Sequence, residues 1–209
     1  MAVDQALLER ASGLGRPVLR LYSWDRPAAS FGYSQRIDVV ETLTPLRPLV
    51  RRSTGGGVVP HDADWTYSVT VPPDHFWYGL SAVDSYERMH AWLRSAFRWI
   101  GFEAVLAPCC DPAGPGQCFV GAEKYDLLYR GRKVAGAAQR RNRLGLLIQG
   151  SIHPPEGAGR TGFEEALFAS AADEHGVVWS DHPDIEGLHA AARSIAASVY
   201  GAPAHTRRR

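Results

Sequence analysis

The sequence predicts an α+β domain with a mixed, largely antiparallel β-sheet packed with α-helices, and three observations carry this expectation. Residues 125–129 and 133–139 alternate in a strand-like way around Arg130-Gly131-Arg132, and a third run, 144–152, follows another basic turn, giving a three-stranded antiparallel meander. Apolar residues recur at helical spacing near the start, in the middle and near the end of the chain. No internal repeat or linker with a shift in composition separates these elements. Residues 1–203 therefore read as a single domain, and residues 204–209 as a frayed basic tail.

In order, Val3, Ala6, Leu7, Ala11 and Leu14 lie at helical spacing, and Gly13 and Gly15 supply a stop, so a short amphipathic helix opens the chain. Residues 18–24 and 28–33 read as strands broken at Asp25-Arg26-Pro27, because proline suits a turn and not a strand interior. Residues 49–52 form a third candidate strand that runs into a glycine loop, and 65–71 are again β-like. Ser81 and Asp84 have the spacing of a capping box. They introduce a helix whose Met89, Trp92, Leu93, Ala96, Phe97 and Ile100 make one apolar stripe, closed by Gly101. Residues 108–116 read as a loop rich in glycine and proline, and 153–162 as another. Helices follow over 163–174 and from Ile185 through Leu188, Ala192, Ile195 and Val199 to Gly201.

A net charge of +1 gives no nucleic-acid signal, and no run reaches the ~18 apolar residues of a membrane span. The opening MAVDQALLERASG contains acidic residues and no long apolar run, so it reads as neither signal peptide nor anchor. Three cysteines cannot all pair, and the adjacent Cys109 and Cys110 would bridge poorly, which points to a reduced, cytoplasmic setting. No second cysteine pair at ligand spacing accompanies them, so they do not read as a zinc site. Arg130, Arg132, Lys133, Arg140, Arg141 and Arg143 crowd the turns of the meander and predict a positive patch that steers an acidic partner.

Two stretches carry chemistry. In RRSTGGGVVPHD, residues 51–62, three consecutive glycines allow backbone N–H groups to converge on a phosphate or a carbonyl oxygen. It lacks the Gly-Lys-Ser/Thr of a P-loop and the Rossmann spacing. Lys133 is followed by Ala135, Gly136, Ala137 and Ala138, a floor shallow enough for a ligand or another backbone to approach, so the lysine reads as a reactive-site residue.

The glycine stretch resembles the Arg-Arg-x-Ser/Thr-Gly-Gly-Gly signature of the lipoate-protein ligase and octanoyltransferase family. GRKVAGAAQR, residues 131–140, resembles its lysine motif, and MAVDQALLE and PAASFGYSQ, residues 1–9 and 27–35, resemble its opening segments. The resemblance implies the catalytic domain shared with biotin ligases, a mixed sheet with helices packed against it. It further implies one of two reactions: ATP-dependent ligation through lipoyl-adenylate, or transfer of octanoate from acyl carrier protein through a cysteine thioester. Cys118-Phe119 stands where the cysteine octanoyltransferases of the family carry their nucleophile, and Gln149-Gly150-Ser151-Ile152 resembles the same branch. The chain also leaves no room for the accessory domain of many ligases.

On this reading Cys118 and Lys133 are the catalytic residues. A thiol with a reference pKa of about 8.5 needs a nearby cation to become a thiolate, and a neutral lysine would serve as base for the acceptor amine. The substrate-binding residues expected are Arg52, Ser53, Thr54, Gly55, Gly56, Gly57, His61, Tyr67, Val134, Ala135, Gly136, Ala137, Gln149, Gly150 and Ser151. The donor expected is octanoyl-acyl carrier protein and the acceptor a lipoyl domain or the glycine cleavage H protein, with no cofactor. In the ligase alternative ATP and Mg2+ enter, with Asp126 on the metal, although Tyr125 departs from the Asn-Asp pair of ligases. Transfer between two lipoyl domains would use the same Cys118 and Lys133, and a non-enzymatic ligand sensor is disfavoured by the presence of Lys133 and the glycine loop.

Overall fold

A computed structural model describes residues 1–110 and 121–207. The elements are α1 (Ala2–Leu14), β1 (Val18–Tyr22), β2 (Ala28–Phe31), α2 (Ile37–Leu43), β3 (Leu49–Arg51), β4 (Val59–His61), β5 (Trp65–Val71), α3 (Phe76–Gly79) and α4 (Ala82–Trp99). They continue as β6 (Val105–Leu106), β7 (Leu127–Tyr129), β8 (Arg132–Asn142), β9 (Gly145–Ile152), α5 (Arg160–His175), α6 (Ile185–Ile195) with a π-helical extension (Ala196–Tyr200), and α7 (Pro203–Thr206). A six-stranded sheet in the order β1-β5-β9-β8-β7-β6 is antiparallel throughout. A three-stranded sheet, β3-β2-β4, contains the parallel pair β2/β3.

The large sheet has two chemically different faces, set by strand alternation. Tyr67, Val69 and Val71 of β5, Leu146, Ile148 and Ile152 of β9 and Ala135 of β8 meet Met89, Leu93 and Phe97 of α4 and Phe163 and Leu167 of α5 in the main core. Each fully buried Val, Leu, Ile, Met or Phe side chain among them contributes roughly 1.5–3 kcal/mol. The intervening residues Thr66, Ser68, Thr70, Gln149 and Ser151 are buried too, but polar, and face the other way. Buried polar groups need partners: Ser68 and Gln149 find one in Asp4 of α1, and Thr66 and Ser151 in Asp64 just after β4, so two buried carboxylates anchor this face of the sheet.

The Ser81 cap forms as expected, its hydroxyl accepting from Asp84 N–H at 3.0 Å. Gly15 ends α1 in the left-handed region, φ 62°. Several short elements were not anticipated: α2, α3, β4, β6 and α7. The tail also departs from expectation. Arg51, 1% exposed, donates to His205 O and Thr206 O at 3.0 Å each and to Tyr33 O and Gln35 O, so residues 203–206 form a docked helical turn and are not frayed.

The expected single basic patch is corrected by the length of β8. Arg130 and Arg132 lie at the β7/β8 turn and Arg143 at the β8/β9 turn, at opposite ends of an eleven-residue strand. Among the described residues no helix is long and apolar enough to cross a membrane.

Candidate active site

Lys133 enters β8 at an irregularity. Leu128 pairs with Lys133 but Leu127 pairs with Ala135, so Val134 is an extra residue, a β-bulge. Unbroken alternation would send Lys133, two residues before Ala135, into the helix-side core. Instead Val134 and Ala135 both join that core, and the lysine amine lies over Gly136 on the polar face. A methyl group on Gly136 would stand 2.7 Å from Lys133 Cε and 2.9 Å from Nζ, so the glycine is what leaves the amine its place. There Nζ makes an ion pair at 2.6 Å with Oδ2 of Asp126, the lysine side chain 8% exposed and the carboxylate fully buried.

Asp126 is held in turn by two further groups, Glu123 N–H and the Tyr86 hydroxyl. Tyr125 adopts φ 71°, turning the chain so that Glu123 N–H donates to Asp126 Oδ2 at 2.6 Å. The Tyr86 hydroxyl of α4 donates to Oδ1 in a short hydrogen bond and accepts from Ala137 N–H at 3.1 Å. β7 pairs no further than Ala135, and this hydroxyl replaces the missing strand partner of Ala137. Burial, together with the Asp126 charge, raises the Tyr86 pKa well above that of an ordinary phenol, so it remains a donor. His90, one turn on, packs against Tyr86 with the rings tilted by 38° and their centroids 4.2 Å apart, and burial lowers its pKa to about 4.

These donors bear on the metal that the ligase alternative would need. Oδ2 of Asp126 is shared by Lys133 and Glu123 N–H, and Oδ1 takes Tyr86. A magnesium ion there would have to displace or crowd the lysine, so the residues as arranged do not fit a metal site. Among the described residues no group of three or more His, Cys, Asp or Glu side chains is arranged to hold a metal ion.

The glycine loop, residues 53–57, connects β3 to β4. Gly32, just beyond β2, packs against it backbone to backbone: any side chain on Gly32 would collide with Gly56 O. Arg52 turns inward, donating to Gly55 O and Gly57 O at 2.9 Å each and to Ser30 Oγ at 2.8 Å. Ser30 Oγ is 2.6 Å from His61 Nε2, and His61 Nδ1 is 2.8 Å from Asp64 Oδ2, which also accepts from Thr66 and Ser151. Burial raises the Asp64 pKa, but His61 and the two hydroxyls outweigh it and bring the carboxyl below its usual range. With Asp64 ionised, Nδ1 donates to it, and the Ser30 oxygen accepts from Arg52. Ser30 is fully buried, so this series braces the loop and is not a nucleophilic triad. His61 also lines a cleft of about 360 Å³ together with Trp24, Asp62, Asp64 and Arg160.

The glycine loop and the lysine amine share one face of β8. Arg140 donates to Ser53 O at 3.3 Å, and Thr54 bonds Gln149, which pairs with Ala138; Gly136, under the amine, is two residues along, roughly 7 Å. Gly136, Gln149 and Ser151 belong to this face. Tyr67, Val134, Ala135 and Ala137 do not: they belong to or pack against the helix-side core, and Gly150 lies under the Tyr67 ring, where a side chain would collide with it. The expected site took runs of neighbours together, whereas consecutive strand residues face opposite ways. Arg52 and His61 serve the loop's own structure. Cys118 lies outside the described residues. Asp4, Ser30, Asp64 and Tyr86 were not anticipated, although Asp4 in phase with Leu7, Leu8 and Ala11, and Tyr86 in phase with Leu93 and Phe97, are polar residues on apolar helix faces.

With this geometry, residues 1–153 match the family model of the lipoyl protein ligase A/B catalytic domain. The chain belongs to this family. The octanoyltransferase LipM of Brevibacillus brevis is 34% identical over 165 residues, and that of Staphylococcus aureus 36% identical over 165 residues. Each match takes in 73% of this chain and 60% of the relative, so the chain spans about 60% of the length of these curated relatives. Among solved structures, lipoate-protein ligase A bound with ATP is similar with a TM-score of 0.77 at 18% identity, covering 99% of this chain and 92% of that one. A bi-partite lipoate protein ligase from Thermoplasma acidophilum is similar with a TM-score of 0.73 at 18% identity, covering 99% and 89%. At that identity the likeness shows the fold, and it is the mixed α+β fold the sequence predicts.

Proposed function

We propose that the chain is an acyltransferase of protein lipoylation, moving an octanoyl or lipoyl group from acyl carrier protein through a thioester on Cys118 to a lysine of a lipoyl domain or of the glycine cleavage H protein. The observation that carries this reading is the Lys133–Asp126 pair, turned out of the core by the bulge onto the face of β8 that the glycine loop borders. The names of the relatives, octanoyltransferase LipM, support transfer chemistry. Cys118 takes its role from the family resemblance. The occupied Asp126 carboxylate supports transfer over the ATP-dependent ligase alternative, which needs that group for magnesium.

In the first half-reaction the Cys118 thiolate adds to the donor's thioester carbonyl, the carrier's C–S bond breaks, and the carrier thiol leaves with the proton Cys118 gave up. In the second the acceptor amine adds to the same carbonyl, the Cys118 C–S bond breaks, and the proton lost by nitrogen returns to sulfur. The Lys133 ammonium offsets negative charge on the sulfur and on the tetrahedral oxygen. Incubation with octanoyl-carrier protein in the absence of ATP, followed by intact mass, tests the reading: an octanoyl adduct is expected, and Cys118→Ala removes it. Modification of a lipoyl domain that requires ATP and survives Cys118→Ala would overturn it.

A further inference from the structure

Gln149 lies on the polar face of β9, 5% exposed, with both ends of its amide engaged. Nε2 donates to Asp4 Oδ2 at 2.7 Å, and Oε1 accepts from Thr54 Oγ1 at 2.9 Å. Chemistry fixes the direction. An ionised carboxylate only accepts, so the amide nitrogen must face Asp4, the amide oxygen must face Thr54, and Thr54 must donate. Asp4 is itself immobile: fully buried, it accepts from Arg20 and Ser68 at 2.8 Å each. Thr54, 1% exposed, opens the glycine loop, and its carbonyl accepts from Tyr33 N–H at 2.9 Å. Three distant parts of the chain thus form one directed relay from α1 through the sheet to the loop, and the acyl-transfer chemistry leaves Asp4 and Gln149 without a task.

We propose that Gln149 is a positioning residue: oriented by Asp4, it holds Thr54 and so sets the place of the glycine loop beside the face of β8 that carries the Lys133 amine, where the acyl donor would enter. The kinetic consequence rests on the acyl-transfer reading, whereas the hold on the loop does not.

The test uses Gln149→Leu, Thr54→Val, Asp4→Asn, the pair Asp4→Asn with Thr54→Val, and Thr54→Ser. Amide hydrogen exchange over residues 54–57 is expected to speed up about tenfold in Gln149→Leu and in Thr54→Val, the loss of one buried hydrogen bond. The kcat/KM for octanoyl-carrier protein is expected to fall about tenfold while the KM for the lipoyl acceptor stays unchanged. Because the relay acts as a unit, the pair should cost no more than the larger single change although Asp4 and Thr54 do not touch. Thr54→Ser, which keeps the hydroxyl, should restore both readouts. Should Gln149→Leu fail to fold, the near-isosteric Thr54→Val carries the test. Unchanged exchange in Thr54→Val, or additive effects in the pair, would overturn the proposal. Faster exchange in the variants of a protein that accepts no acyl group from octanoyl-carrier protein would uphold the relay and defeat the acyl-transfer reading.

Discussion

The amine of Lys133 and the carboxylate of Asp126 meet at 2.6 Å although one leaves β8 and the other a turn before β7, and both are buried. Removing one partner of a buried pair strands the other, at about 3–5 kcal/mol. Asp126→Ala, which also strips Tyr86 and Glu123 N–H of their acceptor, is expected to destabilise by about 3 kcal/mol or more in urea unfolding. Lys133→Met, which leaves the carboxylate its other two donors, should cost less and yet abolish acyl transfer.

Gly136→Ala separates position from stability. The methyl group would press on the end of a flexible side chain, 2.7 Å from Lys133 Cε, and not on backbone. The amine is expected to swing away from Asp126, so activity should fall at least about tenfold, while the fold loses less stability than in Asp126→Ala because the carboxylate keeps its donors Tyr86 and Glu123 N–H. Equal activity with the wild type would show that the amine's place over Gly136 is immaterial.

Acid should weaken the fold in two stages. His90 titrates at about 4 when folded because burial disfavours its cation, against about 6.5 when unfolded. Between those values the unfolded chain holds the extra proton, so stability falls as pH drops from about 6.5 to 4, by on the order of 3 kcal/mol. Urea midpoints measured across this range should flatten in His90→Phe. Asp4 acts lower: burial raises its pKa, but the N-terminal ammonium, Arg20, Ser68 and Gln149 outweigh this and lower it. Its contribution is full above the unfolded carboxyl value and disappears as pH falls through the folded one.

Tyr125 holds φ 71°, a region that costs a side chain such as tyrosine roughly 1–2 kcal/mol and asparagine less. Tyr125→Asn is therefore expected to raise stability by about 0.5–1 kcal/mol with activity retained. A loss of stability would mean that the contact of Lys124 with the Tyr125 ring, 4.7 Å, outweighs the relief of backbone strain.

What the sequence disclosed and what it withheld divide along physical lines. The β8/β9 pairing, β5, the Ser81 cap and the α4 stripe were legible because each is written in local periodicity or in a capping residue. Alternation alone could not reveal the bulge at Val134, since Arg132 to Ala138 reads as an ordinary small-residue strand, and so Val134, Ala135 and Ala137 were grouped with Gly136. The partners of Asp4 and Asp64 were hidden for a different reason. Those that tie them into the sheet are long-range, joining residue 4 to 149 and residue 64 to 151, and no spacing rule encodes such contacts. Short elements such as α2, seven residues long, fall below the length at which a helical stripe is distinctive.

The span of β8 carries a consequence for traffic at the rim. Its eleven residues separate the Arg130–Arg132 turn from Arg143 by roughly 30 Å, beyond the Debye length of about 8 Å at physiological ionic strength. The two cationic ends therefore behave as independent landing points. An acidic visitor steered to one end gains nothing from the charge at the other.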